Sequence, residues 1–134
     1  MKTILTKGSL QRFFFVTLLL VVNASCTSQS GNVLAPKDFK SKMGQPSVTV
    51  LDVRTREEYS EGHLEKAANI NVNSNAFESL ATKLDKAKPI LIYCKGGGRS
   101  KKAADLLRAR GYKVHELKGG LDEWQDAGLP VVKE

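Results

Sequence analysis

A cysteine stands at the end of an apolar run and is followed by one lysine and then three glycines. Cys94 comes directly after Ile90–Tyr93 and opens the stretch Cys94-Lys95-Gly96-Gly97-Gly98-Arg99-Ser100. Residues without a Cβ atom let the backbone curl around the sulfur and direct N–H groups toward it. Such a loop stabilises an anion, and a thiolate is the nucleophilic form of cysteine. The stretch therefore indicates nucleophilic chemistry at Cys94.

Positive charge surrounds the same loop. A helix is predicted to begin at Ser100, and its N-terminus would bring partial positive charge toward the sulfur. Lys95 and Arg99 add full positive charges beside it, which favours the thiolate over the thiol. We expect these two cations to attract an anionic substrate, and we expect the Ser100 hydroxyl to cap the helix.

The length of the loop limits what it can hold. Four residues separate Cys94 from Arg99, one fewer than tyrosine phosphatases place between nucleophile and arginine. The shorter loop makes a smaller cradle, which suits one sulfur atom on the cysteine better than a tetrahedral phosphate. It also contains no acidic residue that could protonate the leaving group of an ester. A phosphatase or an arsenate reductase is therefore the less favoured alternative to sulfur chemistry.

The other cysteine, Cys26, lies in a segment typical of export. Three basic residues and no acidic one precede an apolar stretch, residues 13–22, which is too short to span a bilayer but suits a signal peptide. Small residues directly before Cys26 resemble a bacterial lipoprotein signal, in which that cysteine is lipidated and becomes the mature N-terminus. Ordinary cleavage after Ala24 or Ser25 is the alternative. Both interpretations predict a periplasmic or cell-envelope protein, and the first predicts a lipid anchor at Cys26.

The expected organisation is a signal peptide (1–25), a flexible leader (26–32) and one domain (33–134). If Cys26 is lipidated, Cys94 is the only thiol of the domain, which excludes a disulfide framework and a thiolate metal cluster. The net charge of +7 falls to +4 without the three cations of the first 25 residues. Because the remaining basic residues are mixed with acidic ones, we expect no nucleic-acid partner. We expect a monomer that contacts the membrane only through its lipid.

Apolar strands alternate with amphipathic helices along the domain. Strands are predicted at residues 48–51, 67–72, 89–93 and 112–117, and helices at 36–43, 57–60, 77–84, 100–110 and 121–127. This alternation predicts an α/β domain with a mainly parallel central sheet and helices on both faces. Ligands bind beyond the carboxyl ends of the strands in such sheets. Cys94 follows the most apolar strand at that end.

Three motifs resemble a known family. The pattern C-x-x-G-x-R-S, formed by Cys94, Gly97, Arg99 and Ser100, resembles the active loop of the single-domain rhodaneses. Residues 51–70 resemble the N-terminal signature of that family, and residues 119–130 resemble its C-terminal signature. The match covers residues 33–132, and one departure is Lys66, where many members have a glycine before the alanine. The resemblance implies a rhodanese-like fold.

The resemblance also implies a sulfurtransferase of the thiosulfate type. Cys94 would attack the outer sulfur of a small anionic donor such as thiosulfate, release sulfite and hold a persulfide until a thiol or cyanide accepts the sulfur. Backbone N–H groups of residues 95–100 would stabilise the charged sulfur. No cofactor or metal is implied. A non-catalytic module that binds partners or senses redox state is the alternative.

Three further polar residues are expected to support the site. Asp52 and Arg54 lie at the end of a strand that neighbours that of Cys94, and we expect them to form a salt bridge or loop hydrogen bonds. Direct contact with the substrate is the alternative. His63 could act as a base, but a thiolate that is already formed needs none, so we expect a structural histidine.

Overall fold

The computed structural model describes residues 32–134. Its strands are β1 (Val33–Leu34), β2 (Thr49–Asp52), β3 (Ala68–Asn69), β4 (Ile90–Tyr93) and β5 (Val114–Leu117). Its helices are α1 (Pro36–Met43), α2 (Arg56–Glu61), α3 (Phe77–Ala81), α4 (Gly98–Ala109) and α5 (Gly120–Asp126). The strands form one sheet in the order β1-β5-β4-β2-β3, and every neighbouring pair is parallel. The predicted α/β class is confirmed.

Successive residues of the strands face opposite sides of the sheet, so the domain has two apolar cores. One core joins alternate residues of β2 and β4, such as Leu51 and Ile92, to α3 and α4. The other joins Val50, Leu91 and their neighbours to α1, α2 and α5. All four residues of β4 are buried because helices cover both faces of the central strand, as the sequence predicts.

Some predicted bounds are wrong. The strand predicted at residues 67–72 is only Ala68–Asn69, and the helix predicted at 77–84 ends at Ala81. Leu80, in the middle of that helix, is 39% exposed. The edge strand Val33–Leu34 was missed because two residues carry no periodic pattern; it extends the sheet beside β5. These differences lie away from Cys94.

Lys66 occupies the position at which the resemblance leads one to expect glycine. Its backbone has φ 63°, a left-handed conformation that glycine adopts without steric cost. A lysine there costs about 1 kcal/mol relative to the right-handed region. The departure therefore affects the turn between α2 and β3, and it changes no group near the sulfur.

The predictions for Cys26, for the signal peptide and for all but the last residue of the leader lie outside the described residues. No helix within residues 32–134 is long and apolar enough to cross a membrane.

Candidate functional site

Cys94 lies at the carboxyl end of β4, where the loop turns into α4. Only 1% of the residue is exposed. The backbone N–H of Gly97 donates a hydrogen bond to Sγ at 3.1 Å, and the Ser100 Oγ lies 3.4 Å from the same sulfur. The sulfur is therefore held by one main-chain donor and one hydroxyl at the start of a 12-residue helix.

The expected capping role of Ser100 is wrong. The helix begins two residues earlier than predicted, at Gly98, and Gly97 is the N-cap residue with no side-chain cap. Ser100 lies inside the first turn, where its hydroxyl donates to the Gly97 carbonyl oxygen at 3.1 Å. The hydroxyl thus contacts both the loop backbone and the sulfur.

The three loop glycines are not equivalent. Gly97 has φ 105°, which a side chain strongly disfavours. Gly96 and Gly98 do not have a positive φ. A Cβ at Gly98 would meet nothing within 4 Å, and one at Gly96 would approach only the Asp122 carboxylate, at 4.0 Å. Of the three glycines expected to let the backbone curl around the sulfur, only Gly97 is required by conformation, and the other two leave space open.

A second pair of glycines fixes the loop from the other side. Gly120 has φ 62°, and a Cβ there would lie 2.4 Å from the Lys95 carbonyl oxygen and 2.6 Å from that of Cys94. The N–H of Leu121 donates to the Cys94 carbonyl at 2.9 Å, and that of Asp122 donates to the Lys95 carbonyl at 3.0 Å. The motif at residues 119–130 did not indicate this contact with the cysteine.

The two cations of the loop are paired with carboxylates. Arg99 donates two hydrogen bonds to Glu58, at 2.7 and 2.8 Å, and Lys95 Nζ lies 2.7 Å from Asp122 Oδ1. Hydrogen bonds from Arg99 lower the pKa of Glu58 to about 2, although burial opposes the change. Hydrogen bonds to Glu58 in turn raise the pKa of Arg99, and the nearby Cys94 adds to this effect.

Sequence reasoning missed both carboxylates. Glu58 belongs to a capping box: its side chain accepts from the Thr55 N–H at 3.1 Å, and Thr55 Oγ1 accepts from the Glu58 N–H at 3.2 Å. The pattern Thr-x-x-Glu could have marked the start of α2. It could not have shown that the same carboxylate binds Arg99.

Asp52 and Arg54 form a buried ion pair at the end of β2. Asp52 accepts from Arg54 Nη2 at 2.6 Å and from its Nε at 3.0 Å, and Arg54 also donates to the Gly62 carbonyl at 2.7 Å. Burial lowers the pKa of Arg54, but the hydrogen bond and charge of Asp52 outweigh it and raise that pKa overall. The pair ties the end of β2 to the end of α2.

His63 directly follows Gly62, whose carbonyl oxygen accepts a hydrogen bond from Arg54. Its ring stacks on Tyr59 with centroids 3.7 Å apart, and its Nδ1 is 2.9 Å from the Tyr59 carbonyl oxygen. Its backbone also exchanges hydrogen bonds with Val132 at 2.9 Å. These contacts attach α2 to the C-terminal segment.

An open depression of about 230 Å³ lies beside the loop. It is lined by Arg54, Glu58, Glu61, Gly62, Lys95, Leu121, Asp122 and Gln125. Residues from the ends of β2 and β4 and from α2 and α5 thus meet at the carboxyl end of the sheet, where the fold predicts a ligand. Within residues 32–134, no cluster of three His, Cys, Asp or Glu side chains is arranged to hold a metal.

A buried thiol that accepts a hydrogen bond from a backbone N–H at this edge of a parallel sheet is typical of α/β domains that carry chemistry on a cysteine. A family model, the rhodanese-like domain, matches residues 35–127. The chain belongs to the rhodanese-like domain family, as the three motifs predict.

Two curated relatives illustrate the family. The tRNA uridine(34) hydroxylase of Pelagibacter ubique is 34% identical over 102 residues, which cover 75% of this chain and 34% of that protein. Thiosulfate sulfurtransferase 18 of Arabidopsis thaliana is 36% identical over 97 residues, 63% of this chain and 71% of that one. The chain thus spans about a third of the length of the hydroxylases it matches.

Solved structures agree with this assignment. A rhodanese-related protein from Thermoplasma volcanium superposes with a TM-score of 0.70 and 27% identity, over 77% of this chain and 99% of that chain. A thiosulfate sulfurtransferase from Pseudomonas aeruginosa gives a TM-score of 0.64 and 25% identity, over 76% of this chain and 19% of that one.

Proposed function

We propose that the domain is a sulfurtransferase that moves a sulfane sulfur through a persulfide on Cys94. The observation that carries the proposal is the hydrogen bond of 3.1 Å from the Gly97 N–H to the buried Sγ. A donor aimed at the sulfur stabilises negative charge there, as an oxyanion hole stabilises oxygen. The likeness to the thiosulfate sulfurtransferase of Arabidopsis thaliana supports the same chemistry.

The reaction has two displacements. The Cys94 thiolate attacks the outer sulfur of thiosulfate, the sulfur–sulfur bond of the donor breaks, and sulfite leaves with the electron pair. Cyanide or a thiolate then attacks the outer sulfur of the Cys94 persulfide, and the Cys94 thiolate is regenerated. Such a double displacement predicts ping-pong kinetics.

The other loop residues have supporting roles in this proposal. The Ser100 Oγ accepts from the Cys94 thiol at 3.4 Å and donates its one hydrogen to the Gly97 carbonyl. Once the thiol has lost its proton, that hydrogen would turn from the carbonyl to the thiolate. Gly96 and Gly98 would leave room for the transferred sulfur, since side chains there would occupy the open space beside the loop. Lys95 and Arg99 would support the loop through their ion pairs with Asp122 and Glu58. Asp52, Arg54 and His63 would hold the surrounding loops.

The test is thiocyanate production from thiosulfate and cyanide by the purified protein. We expect turnover with parallel double-reciprocal plots, loss of turnover in Cys94→Ser, and unchanged turnover in the matched control Cys26→Ser. Wild-type protein that forms no thiocyanate would instead favour the alternative, a module that binds partners or senses redox state. The chain spans only about a third of the length of the hydroxylase relatives, so their similarity does not support a hydroxylase function for it.

We further propose that the protein is exported and anchored by a lipid on Cys26. The proposal is supported by the basic start, the apolar stretch 13–22 and the small residues before Cys26. Globomycin, which blocks lipoprotein signal cleavage, should cause the precursor to accumulate. Processing that continues unchanged in its presence would contradict lipidation.

A further inference from the structure

The charged side chains around the depression are not predominantly positive. Lys95 and Arg99 were expected to attract an anionic donor, yet each is bound by a carboxylate, at 2.7 Å in both cases. The lining also contains Arg54, which is neutralised by the buried Asp52, and Glu61, a third carboxylate of the lining. The rim is therefore balanced or slightly acidic, although residues 32–134 as a whole are basic.

The two carboxylates are held in place by different means. Glu58 is fixed by the capping box at the start of α2 and by two hydrogen bonds from Arg99, and its low pKa of about 2 keeps it ionised at neutral pH. The backbone of Asp122 is held by its N–H, which donates to the Lys95 carbonyl at 3.0 Å, and its half-exposed carboxylate pairs with Lys95 Nζ. Its carboxylate lies 4.0 Å from where a Cβ on Gly96 would be, so it flanks the loop directly.

Glu58 and Asp122 neutralise Arg99 and Lys95, and so they cancel an attraction that would otherwise grow in proportion to the charge of the donor. Thiosulfate carries two negative charges, and both must approach a Cys94 thiolate that is itself negative. A donor in which an organic group replaces one charged oxygen carries only one. The arrangement therefore disfavours the dianion more than the monoanion.

We propose that Glu58 and Asp122 are specificity-determining residues that direct the site toward organic sulfane-sulfur donors of at most one negative charge, in preference to dianionic thiosulfate. The proposal rests on the proposed function. It assigns the Lys95–Asp122 and Arg99–Glu58 pairs to donor selection, and it makes thiosulfate a working but slower donor.

Methanethiosulfonate is the matched probe, because a methyl group replaces one charged oxygen of thiosulfate and the size is nearly unchanged. The Cys94 thiolate attacks its outer sulfur, the sulfur–sulfur bond breaks, methanesulfinate leaves with the electron pair, and the Cys94 persulfide remains. The same bond forms and breaks with thiosulfate, which releases sulfite. The ratio of the two rates of persulfide formation therefore reports the effect of donor charge.

The experiment compares Glu58→Gln and Asp122→Asn with wild type by the second-order rate of persulfide formation on Cys94. Gln preserves the capping box, and both changes keep the side-chain size. We expect each variant to accelerate thiosulfate about three- to tenfold and methanethiosulfonate only by about the square root of that factor. The difference should shrink in about 0.5 M salt. Glu78→Gln is the control, since Glu78 pairs with Arg110 at 2.8 Å near the far end of α4.

Equal acceleration of both donors would overturn the proposal, because it would indicate a rearranged loop. Unchanged thiosulfate rates, or the same gain in Glu78→Gln, would also overturn it while leaving sulfur transfer by Cys94 intact. If wild type forms no persulfide with either donor, the proposed function fails together with this inference, and the two failures are thereby distinguished.

Discussion

Two glycine-rich stretches flank Cys94, and they differ in what a side chain would meet. In the loop, a Cβ at Gly98 would enter open space, and only Gly97 has a left-handed φ, of 105°. In the turn before α5, a Cβ at Gly120 would lie 2.4 Å from a carbonyl oxygen of the loop. The turn therefore fixes the position of the loop, whereas the loop glycines border open space.

The largest expected effect comes from Gly120→Ala. The new Cβ overlaps the Cys94 and Lys95 carbonyl oxygens, and the φ of 62° adds strain. Left-handed strain alone costs about 1–2 kcal/mol, and moving the loop backbone adds to it. We expect a loss of at least about 3 kcal/mol in the free energy of unfolding, measured with urea, together with loss of sulfur transfer. A variant that is as stable as wild type would show that the turn does not hold the loop.

Gly97→Ala should have the next largest effect. Its Cβ meets nothing within 4 Å, so the cost is strain at φ 105° rather than overlap. We expect a loss of about 2 kcal/mol in the free energy of unfolding. Persulfide formation should slow by at least about tenfold, since the N–H that bonds the sulfur is displaced. Normal rates with reduced stability would remove this N–H from the mechanism.

Acid should weaken the Glu58–Arg99 ion pair that attaches the loop to α2. It should not change the close packing of Gly120 against the loop. The pKa of Glu58 is lowered in the folded protein from 4.5 to about 2, so its pairing with Arg99 stabilises the fold above pH 4.5 and is lost as the pH falls toward 2. Wild type and Glu58→Gln should differ by about 1 kcal/mol in the free energy of unfolding near neutral pH. Urea unfolding at about pH 3 should show that difference shrinking. A stability difference that does not change with pH would show that the Glu58–Arg99 pair is not its cause.

Gly98→Ala should change stability least. Gly98 has an ordinary φ and begins α4, so alanine fits the helix and raises the free energy of unfolding by about 0.5 kcal/mol. Its methyl group enters the open space beside the loop, so the KM for thiosulfate should rise while stability does not fall. An unchanged KM would show that donors do not use this space.

Local pattern predicted the elements that position the site, but not the contacts across it. The apolar run Ile90–Tyr93 and the proline at the start of α1 carry their structure in a few adjacent residues, and both elements were predicted correctly. The Arg99–Glu58 pair joins residues 41 apart in the chain, and the Lys95–Asp122 pair joins residues 27 apart. Exposed charges leave no periodic signal, so only the folded arrangement shows which carboxylate each cation meets.

The start of α4 shows that a contact between residues close in the chain can also escape prediction from the sequence. Three glycines have low helix propensity, so the helix was predicted to begin after them. In the fold, Gly98 is already helical, and this places Ser100 inside the first turn beside the sulfur rather than at the cap. Helix propensity does not predict that α4 begins two residues earlier. The position of the Ser100 hydroxyl therefore could not be predicted from the sequence.

The most direct test of the account is the intact mass of the protein after brief exposure to a sulfane-sulfur donor and removal of the excess. The account predicts that wild type and Cys26→Ser each gain the mass of one sulfur atom, that cyanide removes it, and that Cys94→Ser gains nothing. Wild-type protein that remains unmodified with both thiosulfate and methanethiosulfonate, or a sulfur atom that persists in Cys94→Ser, would contradict it.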